Sequence, residues 1–219
     1  MEAMRRLIQP AVIKPAALAA GATALVCYPR FALWQAPYPT WYLELVLLLG
    51  GFVLWVFVFA WHSVYTGRPV FKFPPELRLF ASATLAGLLI AAALHWVLDP
   101  TFRSRTPADY PTSWKQWIGM TLFAVAFHPL FLTFAPLAWA LRLFRRLGIA
   151  IAFTVLFGTF VMVVKTQSAP TPLPPVVFLE LLGLRLTLSS LAIYFYLRGG
   201  VLLVWWWTFL LQLRHLLTL

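Results

Sequence analysis

Seven runs of apolar residues, separated by short basic, proline-rich or aromatic stretches, make up most of this chain. They fall near residues 15–33, 42–64, 77–98, 117–141, 147–164, 176–197 and 199–213. Within each run the apolar residues occupy every face of a helix, and most runs approach the ~20 residues that cross a bilayer core. A barrel would need apolar and polar residues to alternate. The pattern therefore predicts an all-α, polytopic transmembrane helix bundle of six or seven spans, one integral membrane domain over 1–219. The first run is the weakest: it is Ala-rich, Lys14 and Pro15 interrupt its start, and it either crosses or lies partly embedded. Two arginines ahead of it give a superficial likeness to a signal peptide. No clear small-x-small site follows, so it is read as a retained first segment.

The breaks carry their own predictions. Pro74 and Pro75 stop any helix before Glu76, because proline lacks the N–H that a helix interior needs. Asp99 precedes Pro100 and is expected to end the third helix, opening a polar loop over 99–115. Pro129 and Pro136 predict kinks in the fourth run. The tight turn with Arg142, Arg145, Arg146 and Gly148 lays the fourth and fifth helices antiparallel. The stretch QSAPTPLPP is expected to be extended and outside the bilayer. Ala81, Ser82, Ala83, Ala86 and Gly87 suit close helix packing. The tryptophans, Trp205 to Trp207 included, read mostly as interfacial anchors.

Composition narrows the class further. Of 219 residues 62% are hydrophobic and 11% charged, against the ~25% charged of soluble domains. The net charge of +11 comes from Arg and Lys in the short breaks, where they orient a membrane protein, so nucleic acid is not an expected partner. With seven spans, one side carries Arg5, Arg6, Lys14, Arg68, Lys72, Arg78, Arg142, Arg145, Arg146 and Arg198. The other carries Arg30, Arg103, Arg105, Lys115, Lys165 and Arg214. That bias places the N-terminus in the cytoplasm and the chain in the cell inner (plasma) membrane. The expected partners are the lipid bilayer and other membrane protein subunits. Cys27 stands alone, which excludes an intrachain disulfide and a thiolate metal cluster.

Few side chains offer chemistry. Glu180 and Arg185 lie inside an apolar run, where each charge costs ~2.5–3.5 kcal/mol on insertion scales. Five residues apart, they are offset by about 140° around a helix, so they serve either packing and orientation or a reactive, substrate-facing carboxylate. Helix rise brings Glu180, His95, His215 and Asp99 toward one outward-facing end. His95 and Asp99, four apart, suit a histidine oriented by a carboxylate, two metal ligands, or interfacial capping. His62 falls at the opposite end. His128, at mid-span, is placed either to ligate haem or a chlorophyll-type pigment or to hydrogen-bond a neighbouring helix.

One stretch bears a family likeness. From Ala135, APLAWALRLFRRLG resembles the first motif of the CPBP family of intramembrane proteases (CAAX proteases and bacteriocin-processing enzymes). Leu137 and Ala138 stand where that family has two glutamates, and Arg142 matches its arginine. The next motif, Phe with His four residues on, is met by Phe157 but has Val161 at the second position. YFYLRGGVLLVWWWTFLLQLRH is similar to the family's last helix pair, with His215 at the terminal histidine and Leu219 where Asn or Asp is expected. A second alignment sets ELLGLR, Glu180 to Arg185, on the glutamate motif with Leu181 at its second glutamate. The resemblance implies a glutamate that activates water, assisted by histidines. An arginine stays protonated and cannot replace that base. The missing glutamate pair thus implies a non-catalytic relative, a protease-like scaffold or accessory subunit of a larger membrane complex, with no cofactor. The alternatives are a glutamate-type protease using Glu180, Arg185 and His215, and a pigment or haem subunit ligated by His128.

Overall fold

The computed structural model describes residues 7–34, 37–167 and 173–219. It is built from helices α1 (Pro10–Leu33), α2 (Thr40–Thr66), α3 (Leu77–Ala93), α4 (Asp99–Arg105), α5 (Trp114–Ala126), α6 (Ala135–Phe144), α7 (Leu147–Gln167) and α8 (Pro175–Gln212). Six continuous stretches are long and apolar enough to cross a membrane, among them Pro10–Leu33, Leu77–Arg105, Trp114–Phe144 and Pro175–Thr218. The chain is thus an all-α bundle of membrane-spanning helices. The first run, left open by its sequence, is a full helix of 24 residues that passes through Pro15 and Pro29. It packs against α2 and α5. Arg5, Arg6 and most of QSAPTPLPP lie outside the described residues.

One expected break is not a break, and the span expected to kink at two prolines stays continuous. Asp99 does not end the third span: a π-turn at Leu94–Leu98 carries the helix on into α4. The fourth span likewise runs through Pro129 and Pro136 by way of a π-turn at Leu130–Phe134. Both π-turns finish on a residue followed by proline, and both times that residue's N–H bonds five residues back, Asp99 to Leu94 and Ala135 to Leu130. A proline ring collides with the carbonyl four residues earlier in an α-helix. The wider turn moves that carbonyl aside, so the helix bends without stopping.

At ~1.5 Å per residue a straight α8 would measure about 57 Å, nearly twice a bilayer core. It is instead a hairpin. Gly200 has φ 72° and ψ −170°, and Phe195 meets Trp207 at 5.8 Å between ring centroids, though 12 residues of straight helix would hold them ~18 Å apart. The sixth and seventh runs are therefore two antiparallel arms, 175–199 and 201–212. The second arm lies along α3: Trp206 stacks on Phe80 and donates to Thr84. A Cβ on Gly87 would come within 3.0 Å of Leu210. Of the tryptophan triplet, Trp207 is buried, and Trp205 and Trp206 are half-buried.

The segment 67–76 straps the hairpin's turn. Val201 N–H donates to Val70 O at 3.0 Å, Arg68 Nη1 to Leu197 O at 2.7 Å and Lys72 Nζ to Arg198 O at 3.2 Å. Phe71, still partly exposed, stacks on Trp55 and lies tilted against Phe59. Between the arms and α2 lies the densest core, with Trp55, Phe134, Leu137, Phe195 and Tyr196 at 0–2% exposure. His62 is buried there against Tyr196, 4.4 Å between rings. The outer surface is the reverse of a soluble protein's: Leu18, Leu25, Leu89 and Phe160 are all more than half exposed.

Candidate functional site

Away from the strap, the two arms of α8 part around a cavity of about 440 Å³. Helices α1, α4, α5 and α7 and the short 3₁₀ turn Pro107–Asp109 complete its wall. Its floor is mainly apolar, with Leu94, Leu132, Leu188, Ala192 and Val204, interrupted by Thr133, Ser189 and Thr208. From Val204 to Arg214 the second arm rises roughly 15 Å, so the cavity runs deep into the bundle. Lys165 and Asp109, whose side chains are 78% and 46% exposed and 3.6 Å apart, mark the mouth.

The upper wall is charged. Four cations line it, Arg30, Lys165, Arg185 and Arg214, with one carboxylate, Asp109. Behind them Asp99 is buried and receives Arg214 Nε at 3.2 Å and the Tyr110 hydroxyl at 3.1 Å. Arg214 also donates through Nη1 to Leu211 O at 2.6 Å. Burial, then the adjacent Asp99 charge and hydrogen bond, hold the Tyr110 phenol above its usual range, so it stays a donor. Arg103 lies 5.0 Å over the Tyr110 ring and donates to Thr218. This cluster fixes the end of the second arm against α4, where the continued helix delivers Asp99.

Two cations form no ion pair among the described residues. Arg185 donates through Nε to Gly158 O at 3.3 Å and meets no carboxylate among the described residues. Arg30 is held flat on Trp34, 3.6 Å from the ring centroid, and its Nη1 has no hydrogen-bond partner there. Two deeply buried ring nitrogens on the same wall are also unmatched. His215 Nδ1 and Trp207 Nε1 find no partner among the described residues, at 4% and 3% residue exposure. Chemically the wall is a set of donors around a surplus of positive charge.

Of the residues singled out by sequence, Arg185, His128 and His215 line this one cavity. His128 is open to it and sets its ring edge-on to Phe123 at 5.4 Å. Glu180 does not join them: it is exposed, forms no ion pair with Arg185, and lies outside the cavity wall. His95 is half-buried against Trp96 and makes no hydrogen bond to Asp99, whose oxygens serve Tyr110 and Arg214. No three His, Cys, Asp or Glu side chains are grouped to hold a metal among the described residues. Leu137 and Ala138 are fully buried, Arg142 is half-buried, and Phe157 stacks on Phe153 and meets Phe131 edge-on.

Sequence reasoning missed Arg30, Tyr110, Trp207 and Arg214 as site residues. The available signal was a charge at the last turn of an apolar helix, which reads equally as a loop charge that sets orientation. No family model, curated protein or solved structure matches this chain.

Proposed function

We propose that the chain is a non-catalytic integral membrane protein that acts by binding, a scaffold or accessory subunit whose working surface is the charged cavity. The reading is carried by the make-up of the wall: cations and neutral polar groups with one carboxylate, Asp109, at the mouth, and Glu180 exposed outside it. A glutamate-type protease needs a carboxylate free to take a proton from water beside the scissile carbonyl. Asp99 is occupied by Arg214 and Tyr110, and Asp109 is at the exposed mouth beside Lys165. In the protease-like stretch Leu137 and Ala138 supply no base. A CPBP-like scaffold that has lost its chemistry is consistent with these features.

The test compares strains expressing the native chain and Glu180→Gln at equal protein level. Proteolytic products of the cell envelope and the subunits that co-purify are expected to be unchanged. A product lost in Glu180→Gln would install the protease in place of the binding protein. A stoichiometric visible chromophore, removed by His128→Ala, would instead install a pigment or haem subunit.

The basic residues favour the cell inner membrane with the 142–146 turn in the cytoplasm and the cavity mouth on the opposite side. In a Cys27→Ser background, a membrane-impermeant thiol reagent applied from outside should modify Ser104→Cys and spare Gly148→Cys. The reverse pattern would invert the orientation.

A further inference from the structure

We infer that the cavity binds a phosphate monoester, its dianionic phosphate held by Arg30, Arg185 and Arg214 and its organic group laid along the apolar floor. The inference rests on the binding role proposed above and names the class of ligand.

Charge makes the first argument. Of the four cations on the upper wall, Lys165 pairs with Asp109 and Arg214 with Asp99 behind it, while Arg103, also behind, stands over the Tyr110 ring. Arg30 and Arg185 are left on the wall without an ion pair among the described residues, two positive charges in a bundle of apolar helices. Uncompensated charge is costly in such surroundings, and a dianion removes the surplus where a carboxylate or a phosphodiester, each singly charged, would remove half. Guanidinium groups also match phosphate geometry, since their planar donors bond two oxygens at once.

Hydrogen bonding makes the second. Arg185 spends only its Nε, on Gly158 O, and the hydroxyls of Ser189 and Thr208 line the same cavity. A phosphate dianion brings only acceptor oxygens, which suits a wall with guanidinium donors to spare. Shape makes the third. About 440 Å³ falls within the range of organic-ligand sites and exceeds what bare phosphate needs. Beneath the charged level the wall turns to Leu94, Leu188, Ala192 and Val204, which suits an apolar substituent.

Such a monoester has two sources, a lipid headgroup such as phosphatidate or a soluble phosphate ester. The experiment therefore has two arms on the full-length chain. In one, the chain is placed in nanodiscs of phosphatidylcholine with or without phosphatidate, and retained lipid is read by native mass spectrometry. In the other, inorganic phosphate or glycerol phosphate is titrated into the phosphatidylcholine sample and binding is read by calorimetry. Arg185→Gln and Arg30→Gln are compared with native protein. Arg185→Lys, which keeps the charge, and Lys115→Ala, away from the cavity wall, guard against misfolding.

Binding in either arm should weaken roughly tenfold to a hundredfold in each Gln variant, the range expected for one charge-assisted hydrogen bond. Arg185→Lys should weaken it less, and Lys115→Ala should leave it intact. Binding confined to the phosphatidate arm assigns the lipid source; binding confined to the soluble arm assigns the free ester. No binding by the native chain in either arm overturns the site, as does binding indifferent to Arg30 and Arg185. In that event an unchanged envelope in Glu180→Gln would leave the non-catalytic reading standing. Conversely, phosphate released from glycerol phosphate would keep the site and overturn the non-catalytic reading.

Discussion

The two ends of the bundle solve the same problem in opposite ways. At the strap end the α8 hairpin turns through Gly200, and every exposed backbone group named there is answered from 67–76 by Val70, Arg68 or Lys72. Aromatic rings fill the space behind. At the other end the same two arms part around a cavity, and two guanidiniums of its wall, Arg30 and Arg185, form no ion pair among the described residues. Unpartnered buried atoms occur at both ends, His62 and Tyr196 by the strap and His215 by the cavity, so hydrogen bonding does not separate them. What separates them is space and charge: the strap end is filled by rings, and the open end keeps room and an excess of cations that a ligand can answer.

The strongest way to break this contrast is at Gly200. Its φ of 72° is strained for any other residue, and a Cβ would come 2.8 Å from Val70 O. Gly200→Ala should therefore cost roughly 2–6 kcal/mol, backbone strain plus overpacking, seen as a lowered thermal midpoint or loss of monodisperse protein in detergent. At the open end Asp99→Ala strands Arg214, whose side chain is 17% exposed. Breaking a pair this buried should cost about 3 kcal/mol, measured by the same unfolding assay. A native-like midpoint would mean that the cluster does not fix the second arm.

Arg185→Gln sharpens the contrast because its sign is opposite. In phosphate-free buffer and neutral lipid, removing an uncompensated cation should stabilise the chain by about 1 kcal/mol. Destabilisation would show that Arg185 is a structural residue. An effect of the same size but destabilising belongs to Trp206→Phe, which keeps the stack on Phe80 but loses the 2.9 Å bond to Thr84. It should cost about 1 kcal/mol and leave the cavity's binding unchanged.

The helices and their order were legible in the sequence because each is a long apolar run, and a membrane span needs little more than that. Even the reversal near Gly199 and Gly200 could be read as a division between two runs. The continuation past Asp99 could not, because proline signals a stop, and only the π-turn before it shows how the stop is bypassed. The cavity was half legible. Arg185, His128 and His215 stood out as polar groups in apolar runs, but Glu180, equally conspicuous, is exposed. Arg30 and Arg214 carried the opposite ambiguity. A charge at a helix end looks like a solvated loop residue until tertiary packing sets other helices around it, and that packing joins residues more than a hundred positions apart, as in the pairing of Asp99 with Arg214.

The strap also dictates an order of assembly during synthesis. Val70, Arg68 and Lys72 emerge early, yet their partners lie in residues 197–201, up to 131 positions later. Until the ribosome has delivered the α8 hairpin, the first five spans present an unfilled side, with Phe71 lacking one of its ring neighbours, Trp205. The hairpin's short turn leaves its arms no loop on which to insert separately, so they enter as a pair and close the bundle last. A chain halted before residue 200 would thus display the unlatched strap, a natural mark by which membrane quality control could tell an unfinished copy from a finished one.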